Sequence, residues 1–147
     1  MQKTLASNGD AELILKLYEL RTEPVLRAAR AWMAVEFWPG TAEEFFAVLN
    51  EFGSHHNAYL RQVVSYWEMA AALVLHGALS AELFLDTNGE LFFLAAKLAH
   101  IMPEIQAQRP TYMAKTLKLV ETHAAAAMMF EGMKKNIEKM RAARQAS

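Results

Sequence analysis

Cysteine is absent from this chain of 147 residues. Disulfide bonds, thiolate metal sites and cysteine nucleophiles are therefore excluded, and we expect a cytoplasmic location. The 6 glycines and 4 prolines are dispersed, and the chain has no Gly-x-Gly-x-x-Gly turn, phosphate-cradling loop or Gly-x-Ser-x-Gly elbow. We accordingly name no catalytic residue and no cofactor, and the missing motifs favour a protein without enzymatic activity over an enzyme.

Neither sign of charge is in excess, and no apolar run is long enough to cross a bilayer. The formal net charge is −1 and the pI is near 6.5, so there is no general attraction to nucleic acid. The most apolar windows, residues 69–79 and 91–102, are shorter than a membrane span. The first ten residues contain no apolar segment of a secretory signal. We therefore expect a soluble protein that binds neither nucleic acid nor membrane, with residual apolar surface used for self-association.

Residues 56–77 form the stretch around which the rest of the chain is arranged. Residues 69–75 contain no polar side chain, and a helix that is apolar all round must be covered on every side. The pattern predicts an all-α fold, an irregular bundle of about six helices around this central buried helix. Up to Glu68, apolar residues recur every three or four positions, as on one buried helical face; they are Tyr59, Leu60, Val63, Val64 and Trp67.

Helix start and stop signals divide the rest of a single domain that spans residues 1–147. We expect a flexible N-terminus over residues 1–9, with Asp10 as the first N-cap. At Pro24 and Pro103 the sequence allows either two separate helices or one kinked helix. Two capping boxes are predicted, at Thr41 with Glu44 and at Thr87 with Glu90.

Residues 111–145 are predicted to form one long C-terminal helix, because only Gly132 interrupts the helical pattern. Apolar residues step by three or four along it, a spacing typical of a seam between packed helices. Beyond Gly132 we expect the helix to project or to cross to a second copy, which gives a homodimer. The seam residues of that dimer are Met133, Ile137 and Met140.

The five histidines are the first candidates for metal ligands. A di-iron carboxylate bundle needs Glu-x-x-His, and a zinc-binding helix needs His-Glu-x-x-His. Neither spacing occurs in the chain, and we expect no metal site.

A polar stripe runs along the central helix. In the simpler interpretation its N-terminal half faces water, whereas Glu68 and His76 flank a covered segment. A buried carboxylate needs a partner, which Arg30 or Arg109 could supply. In the functional interpretation, Glu68 and a nearby aromatic residue line a small cavity. The stripe comprises Asn57, Arg61, Ser65, Glu68, Ala72 and His76. The candidate ligand-binding residues are Arg30, Trp32, Trp67, Glu68, His76 and Tyr112.

Several short phrases occur together between residues 11 and 122. They are LYEL at residues 17–20 followed by Pro24, RAARAW at 27–32, YWEMAA at 66–71, HGALSAELF at 76–84 and PEIQAQR at 103–109. In combination they resemble a family of small, all-helical bacterial domains whose function is uncharacterised. The resemblance implies an α-helical bundle and no particular activity, and the tail after Thr122 lies outside it.

Two functions from different classes follow from these patterns. The first is a non-enzymatic α-helical interaction module that self-associates through its C-terminal helix. The second is a small-ligand-binding helical bundle, with or without enzymatic activity, whose pocket lies near Glu68, Trp32 and Tyr112.

Overall fold

The fold consists of helices joined by short turns. The computed structural model describes residues 5–147, and these contain nine α-helices, one 3₁₀ turn and no β-strand. The predicted all-α fold with a central helix and a long C-terminal helix is confirmed. Across the same residues, no helix combines the length and the apolar composition needed to span a bilayer. In chain order the helices are α1 (Asn8–Arg21), α2 (Pro24–Val35), α3 (Ala42–Leu49), α4 (His55–Leu75), α5 (Ala81–Thr87), α6 (Glu90–Leu98), α7 (Met102–Gln108), α8 (Ala114–Thr122) and α9 (Ala124–Ala146), with the 3₁₀ turn at Ala99–Ile101.

The first helix begins earlier than predicted because Ser7 caps it. The Ser7 hydroxyl accepts a hydrogen bond from the Asp10 N–H at 3.1 Å, and the Asp10 carboxylate accepts one from the Ser7 N–H at 2.7 Å. This reciprocal pair is a capping box, so the prediction of Asp10 as N-cap is wrong. The predicted flexible N-terminus over residues 1–9 falls partly on residues 1–4, which lie outside the described residues, and its last two residues belong to α1.

Pro24 and Pro103 each lie at the start of a new helix and do not kink an existing one. Pro24 is the first residue of α2, and the N-cap Glu23 accepts a hydrogen bond from the Leu26 N–H at 2.8 Å. Pro103 lies in the first turn of α7, directly after the 3₁₀ turn. Proline fits these positions because the first N–H groups of a helix have no partner within it.

The central helix α4 packs against α2, α3, α5, α6 and α8. Leu60 and Trp67 on its inner side are completely buried. The prediction that residues 69–75 are covered on every side is wrong at Met69, which is 51% exposed. The neighbouring helices cover the side of α4 that carries Ala70 and leave the opposite side open.

The predicted single helix over residues 111–145 is divided into α8 and α9. α8 packs against α4, whereas α9 packs against α6 and α8, so the chain must change direction between them. It does so at His123, whose backbone is extended (φ −129°, ψ 118°). The Thr122 hydroxyl supports the end of α8 by donating to the Lys118 carbonyl at 2.7 Å. The tail beyond Gly132, which was expected to project or to cross to a second copy, continues α9 and packs against the rest of the same chain. Ile137 in this part is buried, and Arg141 donates to the Lys97 carbonyl at the end of α6.

A candidate ligand-binding groove at Tyr112

Glu68 on α4 caps the N-terminus of α8. Its carboxylate accepts hydrogen bonds from the backbone N–H groups of Lys115 (3.1 Å) and Thr116 (2.8 Å), and from the Thr116 hydroxyl (2.7 Å). α8 has no local cap, since Met113 before it provides no side-chain hydrogen bond. A carboxylate at this place pairs free N–H groups and complements the positive end of the helix dipole. Glu68 therefore joins two helices that are distant in sequence.

Close to this cap lies a tyrosine whose hydroxyl has no partner. Within residues 5–147, the Tyr112 hydroxyl is the one buried side-chain nitrogen or oxygen without a hydrogen-bond partner. The ring packs edge-to-face on Phe45, with centroids 5.3 Å apart and planes at 80°. Burial raises the pKa of Tyr112, and the nearby Arg109 lowers it by less. The phenol is therefore protonated at neutral pH and has a proton to donate.

Tyr112 lines two adjoining pockets, which we together call the Tyr112 groove. Their volumes are about 400 Å³ and 310 Å³, within the range of small-ligand sites. Both pockets are lined by Val64, Arg109 and Tyr112. The first is also lined by Glu68, Thr111, Met113 and Lys115. The second is also lined by Leu49, Phe52, Arg61 and Ser65.

The Tyr112 groove has an excess of positive charge. Three of its side chains are cationic, namely Arg61, Arg109 and Lys115. Its one carboxylate, Glu68, is already bonded to α8. The Arg61 guanidinium lies 5.9 Å from the centroid of the Phe52 ring. Among residues 5–147, the side chains of Arg109 and Lys115 have no hydrogen-bond or ion-pair partner, so two cations of the groove are available to a ligand.

Arg30 and Trp67 lie elsewhere, around Glu90. Arg30 forms a bidentate ion pair with Glu90, with Nη2 and Oε2 2.6 Å apart. The Trp67 indole N–H lies 3.4 Å from the same carboxylate. Because Glu90 is the first residue of α6, this cluster ties α2 and α4 to the start of α6. The prediction that Arg30 or Arg109 pairs with Glu68 is wrong, since Glu68 finds its donors on α8.

Two other predicted ligand-binding residues lie outside the Tyr112 groove. Trp32 is buried and stacks on Phe37 and His56, with ring centroids 4.6 Å and 5.1 Å apart. His76 is exposed and ends α4 as its C-cap. Of the predicted set, the groove brings together Glu68 and Tyr112. Over the described range 5–147, no three His, Asp or Glu side chains lie close enough together to hold a metal ion.

The polar stripe of α4 has two different environments. Arg61 and Ser65 are exposed, but Asn57, which we expected to face water, is only 1% exposed. Its side-chain N–H groups donate to the carbonyls of Val48 (3.2 Å) and Leu49 (2.7 Å). That expectation is wrong because the end of α3 has free carbonyls nearby, and the Asn57 amide satisfies two of them.

A third charged cluster, which the sequence did not predict, fixes the end of α9. Arg141 donates to the carbonyls of Pro39 at 3.3 Å and Lys97 at 3.1 Å. The guanidinium groups of Arg141 and Arg144 lie 5.5 Å and 5.0 Å from the centroid of the Trp38 ring. We call Trp38, Lys97, Arg141 and Arg144 the α9 anchor.

Lys97 is the buried member of the α9 anchor, with no exposed surface. Its ammonium group lies 4.0 Å from the centroid of the Trp38 ring and donates to the Met33 carbonyl near the end of α2. Burial, together with the nearby positive charges of Arg144 and Arg141, lowers the pKa of Lys97 to about 7. Cations at the ends of α2 and α6 complement the negative ends of both helix dipoles.

The predicted dimer seam packs largely within one chain. Ile137 is buried with 3% of its surface exposed, whereas Met140 is 41% exposed. Met133 packs over Gly89, where an added Cβ would lie 3.2 Å from the methionine methyl group. The apolar spacing of α9 is therefore explained by its contact with α6. A homodimer through these residues stays a prediction.

The chain has a match among known protein families. Residues 6–123 match the family described as Domain of unknown function (DUF4760). Since the match covers most of the chain, from α1 to α8, the chain belongs to this family, and the resemblance carried by the short phrases is confirmed. α9 follows the matched residues. No curated protein and no solved structure has significant similarity to the chain.

Proposed function

We propose that this member of the DUF4760 family is a small-ligand-binding helical bundle and that its site is the Tyr112 groove. The observation that carries the proposal is the buried Tyr112 hydroxyl, which has no partner in residues 5–147. Such a group destabilises the folded state by about 1–3 kcal/mol. A ligand that reaches the hydroxyl and accepts a hydrogen bond from it removes this cost, which is a favourable contribution that an already paired hydroxyl lacks.

The walls of the Tyr112 groove are held in place before any ligand arrives. Glu68 bonds α4 to the start of α8, and Tyr112 packs on Phe45 of α3. Met113, between Tyr112 and α8, is buried and has a left-handed backbone (φ +53°). A non-glycine residue in this region is strained, and such strain is concentrated at functional sites. A preformed groove loses little entropy on binding.

The groove is suited to binding without catalysis. Within residues 5–147, its lining includes no histidine, the side chain that most often serves as a general base. Glu68 already accepts three hydrogen bonds, and burial raises the pKa of Tyr112, which keeps the phenol neutral. The polar groups that a ligand meets are therefore mainly donors and cations.

A fragment screen followed by NMR mapping of backbone amide shifts tests the proposal. We expect the shifted amides to centre on Val64, Ser65 and Tyr112. Ser65 is exposed and lines the second pocket, so Ser65→Phe should fill that pocket and abolish the shifts. Ala58→Phe, at an exposed position of α4 outside the groove, is the matched control and should keep them. Shifts that avoid the groove, or that survive Ser65→Phe, would contradict the proposal.

Self-association through α9 is a second proposal, and it depends on Met140. This residue alone of the predicted seam is exposed, at 41%. Analytical ultracentrifugation at micromolar concentration should show a dimer that Met140→Glu dissociates, because a charge in an apolar interface is costly. Glu138→Ala, also at an exposed position of α9, should leave the dimer intact. A wild-type chain that sediments as a monomer would rule this proposal out.

A further inference from the structure

We infer that the ligand of the Tyr112 groove is an amphipathic carboxylate, with an anionic head in the first pocket and an apolar tail in the second. The inference rests on the proposed ligand-binding function and names the chemical class of the ligand. It is carried by the distribution of charged and apolar side chains between two adjoining pockets.

The anionic head follows from the groups in the first pocket. Arg109 and Lys115 both line it, and neither side chain has an ionic partner within residues 5–147. Tyr112 lines the pocket as well, and its hydroxyl, which is itself buried, is a neutral donor without an acceptor in residues 5–147. Carboxylates accept strong hydrogen bonds from both cations and neutral donors. Arg109 and Lys115 are therefore the groups that an anionic head meets first, and the Tyr112 hydroxyl is a further donor for a ligand that reaches it.

The Glu68 carboxylate also lines this pocket, and it does not reverse the charge preference. Its oxygens accept hydrogen bonds from Lys115 and Thr116 at the start of α8, and the helix dipole offsets its charge. A cationic ligand would find one remaining acceptor position, on Oε1 of Glu68, and would be repelled by both Arg109 and Lys115. The pocket therefore favours an anion over a cation.

The apolar tail follows from the second pocket. Its apolar lining consists of Leu49, Phe52, Val64 and the Tyr112 ring, beside the polar side chains of Arg61, Ser65 and Arg109. Phe52 is 73% exposed. An apolar tail that covers Phe52 would remove exposed apolar surface from water, which favours binding. Because Arg109 and Tyr112 line both pockets, a single small molecule can reach from one pocket into the other.

Three probes with one carbon skeleton test the inference, namely phenylbutyrate, phenylbutanamide and phenylbutylamine. Each is titrated into the wild-type protein, and the shifts of the groove amides give its Kd. We expect the acid to bind about tenfold more tightly than the amide, since a charge-assisted pair replaces a neutral one. The amine should bind more weakly than the amide. An amide or an amine that binds as tightly as the acid would overturn the inference.

Variants of Arg109 and Tyr112, each with a matched control, test whether these two side chains cause the preference for the acid. Arg109→Gln should reduce the acid-to-amide ratio to about twofold or less, because the charge-assisted contact is lost. Arg27→Gln, at an exposed arginine of α2 outside the groove, should leave the ratio unchanged. Tyr112→Phe should weaken the acid and the amide alike, while Tyr18→Phe on the surface of α1 should weaken neither. A ratio that Arg109→Gln leaves unaltered would also overturn the inference.

The outcomes separate the ligand class from the proposed function. If fragments shift the groove amides but the three probes bind equally, the groove binds ligands and the carboxylate class is wrong. If neither the probes nor any fragment shifts the groove amides, the ligand-binding function itself fails.

Discussion

The α9 anchor and the Tyr112 groove both bring charged side chains from distant segments to the ends of helices. In the α9 anchor, Lys97 and Arg141 donate to carbonyls near the ends of α2 and α6, and the Trp38 ring covers the cluster. In the Tyr112 groove, Glu68 accepts from the N–H groups that start α8. Each cluster places the charge that its helix dipole favours.

The two clusters differ in whether their buried polar groups all have hydrogen-bond partners. In the α9 anchor the Lys97 ammonium is enclosed and bonded. In the Tyr112 groove a buried hydroxyl has no partner, and the cations Arg109 and Lys115 stand beside an open volume. A completed polar cluster fixes the helices that it joins and leaves no group for a ligand, whereas an incomplete one retains capacity for a ligand. This difference is the reason for assigning function to the groove and structure to the anchor.

The largest expected effect concerns Lys97, whose buried amine should make stability depend on pH. Its folded pKa of about 7 lies below the ordinary value of 10.5, so the unfolded chain binds more protons between these two values. Stability should therefore rise with pH in this window, by about 2 kcal/mol between about pH 7 and pH 9. Lys97→Met should remove this slope, as measured by urea unfolding at several pH values.

Lys139→Met, at an exposed lysine of α9, is the matched control and should keep the slope. The pH window for this test ends below about pH 10, because above it the ionisation of tyrosines also changes the free energy of unfolding. Burial raises the pKa of Tyr66 from 10.0 to about 12, so Tyr66 loses its proton at a lower pH in the unfolded chain than in the folded chain. Stability therefore falls as the pH rises above about 10. A slope that persists in Lys97→Met would show that Lys97 is charged and solvated, and the anchor would not be closed.

The next effect concerns Glu68, which we treat as a cap and not as a ligand-binding group. Glu68→Ala should lower the free energy of unfolding by about 1–2 kcal/mol, because it leaves the N–H groups of α8 unpaired. Glu68→Gln should lose less, since an amide oxygen can still accept one of these hydrogen bonds. Hydrogen exchange at Lys115 and Thr116 should become faster in Glu68→Ala. A loss no larger than that of Glu138→Ala on the exposed face of α9 would contradict the capping role.

Local signals explain how much of the fold could be predicted from the sequence. The Thr41 cap of α3 was predicted, and its hydroxyl accepts from the Glu44 N–H at 3.2 Å, because both groups lie within one turn. The same reasoning is wrong at Thr87, whose hydroxyl donates back to the Leu83 carbonyl at 2.8 Å. Thr87 ends α5, and spacing alone does not distinguish a residue that ends one helix from a residue that starts the next.

The candidate site was harder to predict because its contacts are distant in sequence. A carboxylate beside an apolar segment needs a partner, and this argument was correct for Glu68. Its partner Thr116, however, is 48 residues away, and α8 begins after Met113, without a capping residue that would mark its N-terminus in the sequence. Lys97 did leave a signal, since it lies inside the apolar window of residues 91–102. A lysine at such a position either extends its ammonium group to water or is buried with a partner, and Lys97 is buried.

The most direct test of the account compares two tyrosines without any ligand present. The Tyr66 hydroxyl donates to the Leu17 carbonyl, whereas the Tyr112 hydroxyl has no partner in residues 5–147. Urea unfolding should show that Tyr66→Phe loses about 1 kcal/mol of stability. Tyr112→Phe should lose nothing or should gain slightly, since no hydrogen bond is removed and a polar atom no longer needs to be buried. If Tyr112→Phe loses as much as Tyr66→Phe, the Tyr112 hydroxyl is already bonded, and the groove has no free donor to offer a ligand.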